Sequence, residues 1–124
     1  MDSKPITKHI EDLNEIIAGD KCFLRELFHP DRDKIKTNFS LAYAHIKPGG
    51  KSVEHFLDKQ SETYYIISGY GTMFIDGMSF KVKAGNSYYI PAGCRQWLVN
   101  EGDAIIDFLV IVDPPWRKED EIII

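Results

Sequence analysis

The stretch "TMFIDGMSFKV", residues 72–82, reads as two short strands, 72–75 and 78–82, on either side of Asp76-Gly77. That dipeptide tolerates the positive φ angles of a tight two-residue turn, so the two strands are expected to pair as an antiparallel hairpin. The pattern continues in both directions. Upstream lie "NFSLAYAHI" (38–46), the turn "KPGG" (47–50), "SVEHFL" (52–57) and "ETYYIIS" (62–68); downstream lie "SYYI" (87–90), "PAG" (91–93), "RQWLVN" (95–100) and "AIIDFLVIV" (104–112). Short strands with turn signals about every ten residues predict an all-β chain folded as an antiparallel sandwich or barrel, and no 3.6-residue period competes with that reading.

The chain has 124 residues, the size of one domain with one core. Residues 37–113 are expected to form the barrel, 1–36 an extension packing on it, and 114–124 a tail. In the extension, "EDLNEIIAGD" (11–20) suits a helical turn or two, and residues 22–28 suit a strand that extends the sheet. The tail, "DPPWRKEDEIII" (113–124), ends the last strand at paired prolines. Trp116 is expected to anchor it, and the final isoleucines to pack on a second subunit, since such side chains avoid water.

Lys and Arg number 15 against 19 Asp and Glu, and the net charge of -4 is spread along the chain. Phosphate binding needs a basic patch, so nucleic acid is not expected as a partner. The longest apolar runs, such as "FLVIV" (108–112), are about a quarter of a membrane span, and "MDSKPITKH" (1–9) lacks the apolar core of a signal peptide. A cytoplasmic protein without membrane association is expected. Cys22 and Cys94, far apart and outside any paired spacing, are read as reduced thiols.

Side chains alternate across a strand, so His55 shares a face with Leu57, Glu62 with Tyr64, and Gln96 with Leu98. Around them runs a glycine and proline frame, in which Gly49 and Gly69 bracket His55, Leu57 and Glu62, and Gly85, Pro91 and Gly93 precede Gln96 and Asn100. This frame resembles the paired motifs of the cupin superfamily, small double-stranded β-helix barrels of jelly-roll type, over residues 49–100. In the usual pattern the first motif supplies two histidines and a glutamate, and the second a third histidine. Here Leu57 stands at the second histidine position and Gln96 at the third.

The resemblance implies a homodimeric barrel whose cavity is lined by His55, Leu57, Glu62, Tyr64, Gln96 and Leu98. His55, Glu62 and Gln96 are the implied metal ligands, offering one nitrogen, one charged oxygen and one neutral amide oxygen. Such a set holds Mn²⁺, Fe²⁺, Ni²⁺ or Zn²⁺ more weakly than three histidines do, and no organic cofactor is implied. It lacks the face of two histidines and a carboxylate expected for iron-dependent oxygen chemistry, so an isomerase, lyase or decarboxylase is favoured over a dioxygenase.

As catalytic groups, His55 and Glu62 can also pair as a carboxylate-held imidazole base. Three functions stay open: a reduced metal site that binds or transforms a small polar molecule such as a sugar derivative or organic acid; a metal-free sensor of such a molecule; and a filled barrel used for interaction. The fold itself does not choose among them.

Overall fold

The computed structural model describes residues 4–124; the first three residues of the predicted extension lie outside the described residues. The strands are β1 (Ile16–Ile17), β2 (Phe23–Phe28), β3 (Ser40–Ile46), β4 (His55–Leu57), β5 (Ser61–Ser68), β6 (Gly71–Ile75), β7 (Met78–Val82), β8 (Ser87–Ile90), β9 (Gln96–Asn100), β10 (Ile106–Asp113) and β11 (Glu121–Ile123). They form two antiparallel sheets, a six-stranded one in the order β1-β2-β3-β10-β5-β8 and a five-stranded one in the order β11-β4-β9-β6-β7. The all-β barrel read from the sequence is the observed architecture.

The hairpin at 72–82 forms as its turn chemistry requires: Asp76 and Gly77 take φ of 48° and 82°, and Ile75 pairs with Met78. Between the sheets, alternate residues of β4, β5, β9 and β10 are buried, and Phe108, Ile66, Met73, Leu98 and Ile106 are almost wholly so. Each such side chain contributes roughly 1.5–3 kcal/mol by leaving water, and together they hold the two sheets face to face.

The strand predicted from residue 52 begins its regular pairing at His55. Ser52 explains the difference, because its hydroxyl accepts from Leu98 N at 2.8 Å while its own N–H donates to Leu98 O at 2.9 Å. That local exchange replaces a continuous ladder over 52–54. Asn100, at the end of the frame, ties two loops together by donating to Ile46 O at 2.9 Å and Ala104 O at 2.8 Å.

The strands before and after the predicted barrel, β1 and β2 on one side and β11 on the other, join the sheets. β2 pairs along β3, from Phe23 opposite His45 to Phe28 opposite Leu41, as the predicted sheet extension requires. Only a single 3-10 turn, Ile10–Asp12, forms in the stretch read as helical. In the tail, Trp116 N donates to Ser40 Oγ at 3.0 Å, and Trp116 O accepts from Nε2 of the buried His29 at 2.9 Å, so Trp116 is an anchor. Beyond it β11 adds an edge strand along β4, pairing Glu121 with Leu57 and Ile123 with His55.

Candidate functional site

His55 is 1% exposed and lies opposite Gln96 across the β4–β9 pairing. Its Nδ1 is 2.7 Å from the carbonyl oxygen of Val53, which can only accept, so Nδ1 carries the proton. In the neutral ring Nε2 is then a bare lone pair. That nitrogen is buried with no hydrogen-bond partner, and it lies 3.5 Å from Asp20 Oδ2.

Glu62 on β5 and Gln96 on β9 meet across the barrel: Gln96 Nε2 donates to Glu62 Oε1 at 2.6 Å. Burial pushes the Glu62 carboxyl up to about 7; His55 and the Gln96 donor oppose that rise, while Asp20 and Glu121 reinforce it. Gln96 Oε1, on the other side of the amide, is buried and unpartnered. Leu57, Tyr64 and Leu98 belong to the buried core, each 3% exposed or less. Tyr64 stacks at a tilt on Phe108, ring centroids 4.8 Å apart, and burial raises its phenol well above the usual range.

Two carboxylates that the sequence reading did not single out complete the cluster. Asp20 sits in the turn between β1 and β2, where its backbone carbonyl accepts from Val53 N at 2.7 Å and its Oδ1 accepts from Cys22 N at 3.0 Å. The same residue thus fixes the segment that orients His55 and aims its second oxygen at the imidazole. Glu121 arrives on β11, its carboxyl raised by burial and by the neighbouring Asp20 charge. One ligand atom from each of Asp20, His55 and Glu121 can be chosen so that all lie within 4.8 Å of one another. Glu62 stands outside that group, engaged with Gln96.

The only signal for Asp20 in the sequence is a Gly-Asp turn before an alternating run, and for Glu121 an acidic residue before three isoleucines. Neither shows which strand it will meet. His45 on β3 stacks on Phe23 with ring centroids 5.0 Å apart, and its Nδ1 lies 3.7 Å from Glu15 Oε1, apart from this cluster. A surface cleft of about 370 Å³ lined by Tyr70, Lys81 and Glu101 shares no residue with the cluster. The convergent polar chemistry is in the barrel interior.

Residues 42–112 match the model of the cupin domain family. The chain is 33% identical over 117 residues to Uncharacterized protein MJ1618 of Methanocaldococcus jannaschii, covering 94% of this chain and 93% of that protein. It is 26% identical over 125 residues to the mannose-1-phosphate guanylyltransferase of Klebsiella pneumoniae, covering 98% of this chain but 26% of that enzyme. Among solved structures, a predicted oxalate decarboxylase from Thermotoga maritima superposes with a TM-score of 0.77 at 17% identity, over 88% of this chain and 99% of that one. At that identity the likeness concerns the fold alone. No helix among the described residues is long and apolar enough to cross a membrane.

Proposed function

Since the chain belongs to the cupin domain family, we propose that its barrel interior binds or transforms a small polar molecule, with a divalent cation held at His55. The observation that carries this reading is the His55 ring: fully buried, fixed through Nδ1, and left with an unpartnered Nε2. A buried acceptor without a partner is unfavourable by about 1–3 kcal/mol, and a cation or a ligand donor removes that penalty. When bound, Mn²⁺, Fe²⁺, Ni²⁺ or Zn²⁺ supplies Lewis-acid polarisation of a carbonyl or hydroxyl.

The chain's own residues do the rest. Glu62, with its pKa of about 7, holds or releases a proton at Oε2 near neutrality, which suits a general acid or base. Gln96 Oε1 accepts from a hydroxyl of the bound molecule, and Leu57, Tyr64 and Leu98 keep water away from the polar groups. Sugar phosphates and small carboxylic acids are the substrate classes to screen first; the similarity to a segment of a sugar-phosphate enzyme supports the former. An isomerase, lyase or decarboxylase fits this set better than an oxygenase. A homodimer completes the reading, supported by the tail isoleucines Ile122, Ile123 and Ile124, which are 39–50% exposed.

One observation favours a second reading, a metal-free sensor: the Gln96–Glu62 hydrogen bond already satisfies one carboxylate oxygen without a cation. A thermal-shift screen with sugar phosphates and small carboxylates, run with and without Mn²⁺, separates the two, because a ligand that binds only the folded state raises Tm. A rise that needs Mn²⁺ and is lost in His55→Ala supports the cation-assisted site. An equal rise without cation supports the sensor, and no rise with any probe defeats both.

A further inference from the structure

We propose that Asp20, His55 and Glu121 form one divalent-cation site, built from the two ends of the chain and standing beside the carboxylate and amide at the motif positions. The inference deepens the function proposed above and rests on its cation half.

The imidazole supplies the first argument. A distance of 3.5 Å between His55 Nε2 and Asp20 Oδ2 is long for a charged hydrogen bond, and with the proton on Nδ1 both facing atoms are acceptors. Two ligand atoms on one cation, each bonded at about 2.0–2.2 Å, stand about 3–3.5 Å apart, so the pair is spaced as ligands rather than as donor and acceptor.

Charge supplies the second. Asp20 is 7% exposed, and its carboxylate and that of the half-buried Glu121 come together at the His55 imidazole. Carboxylates drawn out of water without a fixed countercharge are costly, and the described ion pairs bring no lysine or arginine to either of them. A divalent cation supplies positive charge to both carboxylates and gives the buried Nε2 a partner.

The backbone supplies the third. A Cβ built on Gly19 would lie 2.3 Å from Glu121 Oε1, so the carboxylate occupies the space that any larger residue's side chain would take. Glycine before Asp20 thereby lets the C-terminal strand bring its glutamate against the N-terminal turn. Ile124 N, donating to Glu54 O at 3.1 Å, and Asp58 N, donating to Asp120 O at 2.8 Å, clamp β11 at that depth. One imidazole nitrogen and two carboxylate oxygens form a borderline-to-hard set, suited to Mn²⁺, Fe²⁺ or Zn²⁺ with open positions for water or a bound oxygen ligand.

The test is calorimetric titration of Mn²⁺ and Zn²⁺ into metal-stripped full-length protein, with the melting temperature of each stripped variant as the check on folding. Asp20→Asn and Glu121→Gln are each expected to weaken binding by about tenfold or more, the scale of losing part of a coordination sphere. Gly19→Ala, which keeps all three ligand residues but displaces the Glu121 carboxylate, should weaken it in the same direction. Glu62→Gln and Gln96→Ala should change it by less than about threefold, well under the tenfold that each 1.4 kcal/mol represents.

The reverse pattern, loss in Glu62→Gln or Gln96→Ala with Asp20→Asn and Glu121→Gln unchanged, puts the cation on the motif positions; it overturns this inference and leaves the proposed function standing. No binding of either cation to the parent protein overturns the inference and the cation half together, while the ligand screen still judges the small-molecule half. Should Asp20→Asn fail to fold, Glu121→Gln and Gly19→Ala decide the matter.

Discussion

Glu62 is a carboxyl whose environment makes a measurable claim. Its folded pKa of about 7 lies well above the value near 4.3 of an unfolded chain, because burial disfavours the charged form. Between those values the folded state binds more protons than the unfolded one, so this residue lowers stability as pH rises from about 4.5 to about 7, and the penalty is constant above that. Glu62→Gln keeps an oxygen for the Gln96 donor and removes the ionisation. In urea unfolding of metal-free protein the variant's advantage is expected to be smallest near pH 4.5 and to reach roughly 1–3 kcal/mol at pH 8. An advantage that does not change with pH would mean that Glu62 is solvated or paired.

At this scale the sequence was informative about facing and silent about neighbours from other elements. Strand alternation puts His55 and Leu57 on one face, and both are buried. Which acceptor the imidazole would meet depended on a turn far upstream and a strand at the far end of the chain, and periodicity carries no record of either.

Among elements, β11 does the most for the site relative to its length. Besides its ladder with β4 it is held by the 3-10 turn before it, Lys118–Asp120, whose Asp120 is 6% exposed and accepts from Gln60 Nε2 at 2.7 Å. Asp120→Ala leaves that buried amide without this partner, which should cost about 1–3 kcal/mol. The tail after Trp116 should then be cut faster by protease at a temperature where the barrel remains folded, and added Mn²⁺ should slow the cutting. Equal cleavage of parent and variant would mean that the Gln60–Asp120 contact does not hold the strand. The hairpin at 72–82 was legible because its turn residues dictate their own geometry. The pairing of β11 was not, because a strand of three residues after two prolines has no local signal for its partner.

For the whole molecule, the barrel was readable from alternation and turn chemistry, since a two-sheet fold repeats the same local rule in strand after strand. Ile122 and Ile124 alternate away from the face that carries Glu121, so a homodimer seated on them would be disrupted by the double change Ile122→Asp with Ile124→Asp while the cation ligands stay in place. Light scattering behind gel filtration should give twice the mass of one chain for the parent and one chain's mass for the variant; equal masses would remove the tail from the interface.

A cation held at His55 should stay with the folded protein through gel filtration. Metal-stripped protein is loaded with excess Mn²⁺ or Zn²⁺, freed of unbound ion by gel filtration and measured for metal content by mass spectrometry, alongside His55→Ala prepared identically and matched for folding by its melting curve. About one equivalent per chain in the parent and a small fraction of that in the variant is the expected result. A parent that retains no metal, or a His55→Ala variant that retains as much as the parent, would contradict it.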